Sequence, residues 1–312
     1  MNNLAIIIPA YKPEYLQQTL DSFVRQTNKN FTIYIGDDNS PYRIYDIVKK
    51  YLDKLHIIYK KFDENFGGVS LVKQWERCIE LSKEEWIWLF SDDDIISDTC
   101  VETFYNREDK SSKFFKFNTK VIDNNGNHIM KKYDGSSILL SKKIESIDFI
   151  KKRLNIDNFR SFAVEYVFHR DLYDVNRFVD FPLAWASDDA TWFKYSIENQ
   201  GYISILNDMV YWRHSGKNIS SSVKDNIVNE KKIQASIQYL LWLNEYSAEK
   251  NISLDDESKL RWLSIQIASL KYQISYKKYN EIIKNIGLKV SFLDILNNYL
   301  VIKYYYLRNK FN

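Results

Sequence analysis

The chain has few of the residues that make flexible linkers or covalent cross-links. Its 312 residues include 8 glycines, 4 prolines, 2 cysteines and 4 histidines. So few glycines and prolines argue against long flexible tethers between domains. Cys78 and Cys100 cannot build a disulfide framework, and with four histidines they are too few for a clustered zinc site. We therefore expect reduced thiols and a cytoplasmic location.

The sequence also lacks a long apolar run. No stretch approaches the roughly 18 residues that a membrane-spanning helix needs. The segment Met1–Pro9 has no basic residues before its short apolar run, so we expect no signal peptide. The formal net charge of +3 is small, and the basic residues are dispersed except near the C-terminus. We therefore expect no nucleic-acid partner.

The residues that are abundant are those of a folded domain. Hydrophobic residues make up 45% of the chain, aromatic residues 16% and charged residues of both signs 27%. This composition is typical of a globular protein with a sizeable core. The length suits one large domain with an appendage, or two modest domains.

Over the first 120 residues, short apolar runs alternate with segments of helical periodicity. Strands are predicted at Leu4–Ile8, Phe31–Ile35, Leu55–Tyr59 and Trp86–Phe90, and helices near 13–26, 44–52 and 69–81. Such alternation predicts an α/β fold with a mainly parallel, Rossmann-like central sheet flanked by helices.

The rest of the chain is different. From about 113 to 215 the pattern is mixed, with strands at Phe114–Phe117, Val164–Phe168 and Val210–Trp212. After about 225 only helices are predicted, among them Glu230–Ala248 and Glu257–Ser275. Ser291 with Asp294 predicts a capping box at the start of a last helix, and Gly287 predicts the end of the helix before it. We expect a domain over 1–222, with halves 1–118 and 119–222, and an α-helical C-terminal region over 223–312. Ligands of such sheets bind beyond the carboxyl ends of the strands.

Three consecutive carboxylates, Asp92, Asp93 and Asp94, follow the apolar fourth strand. Carboxylates this close repel one another, which raises their pKa values unless a cation lies near. A hard cation such as Mg²⁺ or Mn²⁺, itself bound to phosphate oxygens, would remove that penalty. The alternative is an ordinary turn in which one carboxylate caps the next helix.

Two further segments could bind a nucleotide. Asp38 lies in the turn after the second strand and could accept a hydrogen bond from a base or ribose, and Tyr11 after the first strand could stack on the base. Asn65 and Gly67 precede a helix that carries Lys73, so this loop could approach a phosphate. Each segment is also compatible with an ordinary turn or loop.

A second acidic group lies far along the chain. Asp188 and Asp189 follow Trp185 at a predicted helix start, where acids are common because they interact with the helix dipole. A carboxylate projecting from there into a cleft could also act as a general base for a sugar hydroxyl. Arg213 and His214 end a later strand, and His214 could bind a metal or phosphate or simply be exposed.

Taken in order, these segments resemble the inverting family 2 glycosyltransferases with the GT-A fold. The segments that carry the resemblance span residues 4 to about 220 and are Ile6–Tyr11, Asp37–Ser40, Asn65 with Gly67 and Gly68, Ser91–Asp94, Asp188 with Asp189, and Arg213 with His214. The resemblance implies transfer of a sugar, with inversion, from a nucleotide-diphosphate sugar to an acceptor hydroxyl. It favours UDP as the nucleotide, Mn²⁺ or Mg²⁺ as cofactor, and bacterial surface polysaccharide or glycoconjugate synthesis as the setting.

The resemblance also implies roles by position. Nucleotide-binding roles fall to Pro9, Tyr11, Asp38, Asn65, Gly67, Lys73 and Asp92; metal binding falls to Asp93, with His214 as a further candidate ligand; the catalytic base is Asp189; and supporting or acceptor-binding roles fall to Asp94, Trp185, Asp188 and Arg213. The chain departs from the family where Ser91 replaces a frequent acid, Lys73 a frequent arginine, and Asp188 a frequent glutamate.

The C-terminal quarter lies outside the resemblance. Its last segment mixes aromatic residues with Lys303, Arg308 and Lys310. Such a helix can lie on the inner face of an anionic membrane, pack against the rest of the chain, or join a second subunit. Membrane contact would suit a lipid-linked glycan acceptor rather than a free glycan.

Two rival functions stay open. A nucleotidyltransferase also combines a nucleotide-binding sheet with metal-binding carboxylates, but it normally needs a glycine-rich and basic loop after the first strand, and Pro9–Pro13 is not such a loop. A non-catalytic scaffold that binds nucleotides or sugars on the same fold is the other, and the presence of both Asp93 and Asp189 argues against it.

Overall fold

The computed structural model describes residues 3–129, 142–155, 159–216, 226–270 and 272–310. The strands are β1 (Leu4–Ala10), β2 (Thr32–Asp37), β3 (Ile57–Lys61), β4 (Trp86–Leu89), β5 (Ile95–Ile96), β6 (Phe114–Ile122), β7 (Lys143–Glu145), β8 (Tyr166–His169) and β9 (Tyr202–Arg213). The helices are α1 (Leu16–Val24), α2 (Ile44–Val48), α3 (Leu71–Ile79), α4 (Cys100–Tyr105), α5 (Ser146–Asn155), α6 (Arg170–Val175), α7 (Ser187–Glu198), α8 (Asn226–Glu249), α9 (Asp256–Ser269), α10 (Tyr276–Ile286) and α11 (Phe292–Lys310).

The nine strands within the described ranges belong to one sheet. Its order is β3-β2-β1-β4-β8-β6-β9-β5, and β7 also pairs with β9. The strands β3, β2, β1 and β4 are mutually parallel. Beyond them, β8 is antiparallel to β4 and β6, β6 is parallel to β9, and β5 and β7 are antiparallel to β9. The sheet is therefore parallel in its first half and mixed in its second, which confirms the expected fold class.

Strands β1, β2 and β4 of the parallel half are almost completely buried because helices cover both faces there, whereas the edge strand β3 is partly exposed. Along β1, Ala5 and Ile7 face one core together with α3 and α7, whereas Leu4, Ile6 and Ile8 face the other core with α1. Successive side chains of a strand point to opposite faces, so an unbroken apolar run serves both cores. This packing fixes the strand ends, where the polar segments begin.

Several boundaries differ from those predicted by periodicity. The strand predicted at Val210–Trp212 is the end of the longer β9, whose pairing with β6 shifts register between Leu206 and Met209. That bulge interrupts the apolar pattern and hides the first half of the strand from a periodicity argument. The helix predicted to reach Ser275 ends at Ser269, and Ser275 instead caps α10 by accepting from the backbone N of Lys278 at 3.2 Å.

The C-terminal helices begin and end as their sequence signals predict. Ser291 and Asp294 form the expected capping box at the start of α11, and Gly287 has the left-handed φ of 79° that ends α10. The helical region packs on the rest of the chain, where Ser258 Oγ donates to Asn155 Oδ1 at 2.9 Å. The helices within the described ranges are all too short or too polar to cross a bilayer.

The predicted domain boundaries stay predictions. The boundary at 222/223 lies outside the described residues. The boundary at 118/119 falls inside β6, which continues through it to Ile122. Cys78 and Cys100 are buried free thiols, as expected.

Gly36 in β2 generates a stability prediction. A Cβ atom there would lie 2.2 Å from Cys78 Sγ and 3.0 Å from a ring carbon of Phe62. We expect Gly36→Ala to lower the free energy of unfolding by about 1–3 kcal/mol through overpacking, measured by urea denaturation. The cost should shrink in a Cys78→Ala background, because the sulfur is the nearest clashing atom. An equal cost in both backgrounds would contradict this explanation.

Candidate active site

Hydrogen bonds join the polar segments that follow β1, β2 and β4. Oδ2 of Asp92 accepts from the backbone N of Tyr11 at 2.9 Å and of Lys12 at 3.0 Å. Ser40 Oγ donates to the carbonyl of Tyr11 at 2.6 Å. Pro9 lies just before this junction, within β1. The structure thus places three predicted nucleotide-binding segments side by side, with the Tyr11 ring partly exposed.

Asp38 is buried, and both of its carboxylate oxygens accept hydrogen bonds. Oδ1 accepts from the backbone N of Phe66 at 2.7 Å and from Nη2 of Arg77 at 2.5 Å. Oδ2 accepts from the backbone N of Gly67 at 2.8 Å. The guanidinium of Arg77 also lies over the Phe66 ring. In this structure Asp38 therefore shapes the loop that precedes α3, and its contact with a base stays a prediction.

Asn65 and Gly67 both have structural roles in the loop before α3. A Cβ atom on Gly67 would lie 2.6 Å from Asp38 Oδ2, so only glycine allows this close approach. Asn65 donates to the carbonyl of Asp38 at 3.1 Å and accepts from Gly68 N at 2.7 Å. Lys73 is exposed on α3. The cation on which the loop depends is thus Arg77, which the sequence does not single out because its spacing matches no phosphate-binding motif.

The acidic triplet divides into three environments. Asp92 binds the loop after β1, as described above. Asp94 is buried, accepts from the backbone N of Arg213 at 2.6 Å and accepts from Ser91 Oγ at 2.6 Å. Asp93 is partly exposed, and its Oδ1 accepts from the same serine hydroxyl at 2.9 Å. Asp93 is therefore the member whose carboxylate is least committed to the protein's own backbone.

The triplet is electrostatically strained. Loss of solvation raises the pKa of Asp92 to about 7, and the charge of Asp93 adds to the effect. Loss of solvation likewise raises the pKa of Asp93 and, with the charge of Asp93, raises that of Asp94 well above its usual value. A nearby cation would relieve this strain.

The donor set fits a hard cation only if a ligand shares it. Across the ranges that the structure describes, no three His, Cys, Asp or Glu side chains form a group able to hold a metal ion. Mg²⁺ is commonly bound by one or two carboxylates together with substrate phosphates and water. The oxygens of Asp93 suit that mode, so these residues fit a divalent cation that also binds a diphosphate.

Arg213, the last residue of β9, holds the backbone of the triplet. It is fully buried; its Nε donates to the carbonyl of Asp93 at 2.8 Å and its Nη2 to Gln18 Oε1 at 2.7 Å. Arg213 thus has a supporting position. The exposed His214 follows it directly and donates from its backbone N to the Ile122 carbonyl at 2.8 Å. His214 is therefore the residue that follows Arg213, whose side chain contacts the Asp93 carbonyl.

The second acidic group lies at the start of α7. Arg153 binds the Asp189 carboxylate with two hydrogen bonds, Nε to Oδ1 at 2.8 Å and Nη2 to Oδ2 at 2.6 Å, and Asp189 is buried. Burial and the charge of Asp189 raise the pKa of the partly exposed Asp188 to about 7, against the opposing charge of Arg153. The sequence does not single out Arg153, because this residue ends a Lys-Lys-Arg run that is typical of a solvated helix face.

The chain before α7 is strained. Leu183, Ala184 and Ala186 have left-handed φ values of 60°, 52° and 63°. Non-glycine residues seldom adopt this conformation, and it persists only where surrounding contacts determine it. Between them, Trp185 lies under the Lys232 ammonium of α8, 4.7 Å from the ring centre. The helical C-terminal region therefore contributes to the surroundings of the acidic pair.

The two acidic groups lie at the same edge of the sheet. Because β4 and β8 are antiparallel, the carboxyl end of β4 lies beside the amino end of β8. Tyr166 at that end of β8 is within electrostatic range of Asp189. The segment leading to α7 also contacts the loop before α3, since Ser70 Oγ donates to Asp180 Oδ2 at 2.8 Å.

A second buried ion pair lies near Arg153. Lys116 Nζ is 3.2 Å from Glu165 Oε2, and both side chains are fully buried. Burial raises the pKa of Glu165 to about 7 despite the lysine, and burial lowers the pKa of Lys116. Arg153 is within electrostatic range of both residues. The ion pair of Arg153 with Asp189 therefore lies near a second buried pair of opposite charges.

Comparison with known proteins agrees with this geometry. The family model for glycosyl transferase family 2 matches residues 5–168, more than half of the chain. The chain belongs to glycosyl transferase family 2. The resemblance inferred from the motifs is thereby confirmed. The chain is also similar to glycosyltransferase GlyG of Streptococcus pneumoniae serotype 4, with 26% identity over 105 residues, covering 33% of this chain and 34% of that protein. The alignment thus spans about a third of that curated relative.

Two solved structures share the fold of this family 2 chain. S. aureus TarS 1-349 in complex with UDP-GlcNAc matches with a TM-score of 0.60 and 17% identity, covering 97% of this chain and 91% of that one. The complex with UDP matches with a TM-score of 0.53 and 16% identity, covering 98% and 92%. At such identity the likeness concerns the fold alone, and it confirms a GT-A-like architecture that continues into the helical region.

The ion pair between Arg153 and Asp189 generates a second prediction. Arg153→Met leaves two adjacent carboxylates without their cation, and we expect the free energy of unfolding to fall by about 3–5 kcal/mol at pH 8. Arg153 lowers the pKa of Asp188, so its removal raises that pKa further above the usual 3.8. When folding raises the pKa of a carboxyl group, the folded protein loses stability as the pH rises from the usual pKa of that group to its raised pKa. The loss should therefore be smaller at pH 5 than at pH 8, measured by urea denaturation.

The matched control is Arg25→Met, which removes an exposed ion pair of 3.0 Å with Asp98. It should change the free energy of unfolding by no more than about 1 kcal/mol at either pH. Equal losses for Arg153→Met at pH 5 and pH 8 would contradict the electrostatic explanation.

Proposed function

We propose that this chain is a metal-dependent, inverting glycosyltransferase that moves a sugar from a nucleotide-diphosphate sugar to an acceptor hydroxyl. The observation that carries the proposal is the location of two acidic groups, Asp92–Asp94 and Asp188 with Asp189, at one edge of the sheet. One group follows strand β4 of the parallel half, and the other opens α7 of the mixed half. Family membership makes sugar transfer the chemistry to assign to that edge.

The donor binds at the carboxyl ends of β1, β2 and β4. Tyr11 stacks on the base, Asp38 and Asn65 hold the loop beside it, and Asp92 contacts the ribose. Lys73 and Gly67 lie on the phosphate side, at the start of α3. UDP is the proposed nucleotide, supported by the sequence resemblance and by the fold shared with TarS, whose complex holds UDP-GlcNAc.

A divalent cation, Mn²⁺ or Mg²⁺, is the proposed cofactor. Asp93 would hold it together with the donor diphosphate, and His214 is a further candidate ligand. When bound, such a cation neutralises the charge that develops on the departing nucleoside diphosphate. Asp94, Arg213 and Ser91 keep the Asp93 backbone and carboxylate in place for this role.

The chain's own contribution to the transfer step is the base. The acceptor oxygen attacks the anomeric carbon as the bond from that carbon to the diphosphate oxygen breaks, and the acceptor proton passes to an Asp189 carboxylate oxygen. Arg153 holds both oxygens of Asp189 through fixed hydrogen bonds, so that the carboxylate cannot rotate away. Asp188 and Trp185 lie beside it and would contact the acceptor.

The proposed acceptor is a glycan or lipid-linked glycan. The proposed setting is the synthesis of a bacterial surface polysaccharide or glycoconjugate in the cytoplasm. Both rest on the sequence resemblance and on the helical region that adjoins the acidic pair through Lys232 and Trp185.

A panel of nucleotide sugars tests the donor and metal. With Mn²⁺ or Mg²⁺ present, we expect one nucleotide class to raise the melting temperature and to be hydrolysed slowly to the nucleoside diphosphate. Asp93→Ala should weaken metal-dependent binding by about tenfold or more, because it removes the least committed carboxylate of the triplet. The control is binding measured with EDTA, where the variant and the wild type should be alike. Failure of every nucleotide sugar to stabilise the protein would overturn the proposal.

Asp189→Asn tests the base. We expect donor binding to persist while transfer falls by about 10²–10⁴, because the amide cannot accept the proton. Asp188→Asn is the matched control, since it changes the neighbouring carboxylate in the same helical turn. Full turnover by Asp189→Asn would rule out Asp189 as the base. A loss of transfer in Asp188→Asn without a loss in Asp189→Asn would do the same.

A further inference from the structure

Exposed apolar side chains concentrate on α11. Seven large apolar or aromatic residues are exposed there: Phe292, Leu293, Leu300, Val301, Tyr304, Tyr305 and Leu307. The opposite side of the helix packs inward, with Ile302 only 1% exposed and Tyr299 against the ring of Tyr279. A helix that is apolar on both sides is normally buried on both sides. The outer side of α11 is therefore an apolar surface that the rest of the described chain leaves uncovered.

The exposed residues form a continuous stripe. Leu293, Leu300, Tyr304 and Leu307 are 50–64% exposed and follow one another at intervals of seven, four and three residues. These intervals place side chains on the same side of a helix. At a rise of about 1.5 Å per residue, the stripe runs for about 21 Å along the helix. It is long enough to lie flat on another surface rather than to fill a single pocket.

The charge around the stripe identifies the partner. Residues 272–310 contain seven basic residues and two acidic ones, Glu281 and Asp294, a net charge of +5. The whole chain has a net charge of only +3, so the remaining residues sum to −2. Lys277, Lys278 and Lys284 are exposed on the adjoining α10. The surface around the stripe is thus basic on a chain that is otherwise slightly acidic, which favours an anionic partner.

We infer that α11 docks on an anionic membrane surface, with the leucines of the stripe inserted among the lipids. An interfacial helix needs apolar side chains on one side and basic residues beside them, and residues 272–310 supply both. Tyr304 suits the headgroup level, because tyrosine has an apolar ring and a polar tip. A second copy of the chain fits less well, since pairing would bring two regions of charge +5 together.

Vesicle flotation tests this inference on the full chain. We expect the protein to float with vesicles of 70:30 phosphatidylcholine and phosphatidylglycerol, and much less with phosphatidylcholine alone. Binding should weaken in 0.5 M salt, because screening reduces the attraction of the basic region. Leu300→Glu with Tyr304→Glu should reduce the affinity for the anionic vesicles by roughly tenfold or more, because the leucine and tyrosine side chains no longer contact the lipids.

The matched control is Val175→Glu with Leu52→Glu, which adds the same charge at exposed apolar positions away from α11. It should bind like the wild type. Melting curves establish that each variant is folded, and Leu300→Ser with Tyr304→Ser repeats the test without added charge.

Equal binding by the stripe and control variants, or no flotation of the wild type, would overturn the inference. A dimer in sedimentation velocity that the stripe variant loses, without vesicle binding, would assign the surface to a second copy. Donor binding tests the proposed function separately.

Discussion

The candidate site depends on carboxylates that are removed from water and balanced by fixed donors. Asp92 is held by two backbone amides of the loop after β1, Asp38 by two amides and Arg77, and Asp189 by Arg153. Each of these contacts joins segments far apart in the chain. An ionised group out of water is costly unless it is paired, so the contacts also force the loops into one arrangement. Asp93 is the partial exception, because its carboxylate accepts from the Ser91 hydroxyl, which it shares with Asp94.

This arrangement links the fold to the proposed chemistry. The parallel half of the sheet delivers the loops after β1, β2 and β4 to one edge. After β8 the chain returns to that edge, where Asp180 accepts from Ser70 of the loop before α3 and α7 then begins. A donor held over the first group would therefore lie near the carboxylates of the second. The strained backbone at Leu183–Ala186 and the buried pair of Lys116 with Glu165 are costs that the fold sustains around the acidic pair.

Much of the fold could be predicted because its signals are local. Unbroken apolar runs marked β1, β2 and β4, and the capping box of Ser291 and Asp294 marked the start of α11. The long β9 was recognised only at its end, because a bulge near Asn207 and Asp208 breaks its pattern. The short β5 and β7 carry too few residues for any periodicity. Arg77 and Arg153 could not be found, because their spacing and neighbours are those of ordinary helix surfaces.

The sequence by itself determined the alternation of strands and helices in the first 90 residues, the family and the polar segments at the strand ends, since strand periodicity, caps and motifs are properties of neighbouring residues. Only the tertiary structure decided which carboxylates are committed to the protein: Asp38 and Asp94 to loops and strands, Asp189 to Arg153, and Asp93 least of all. It alone also showed which side of α11 is covered, since both sides are equally apolar in the sequence. The reason is that pairing and burial depend on residues that are distant in the chain and meet only when the sheet has formed.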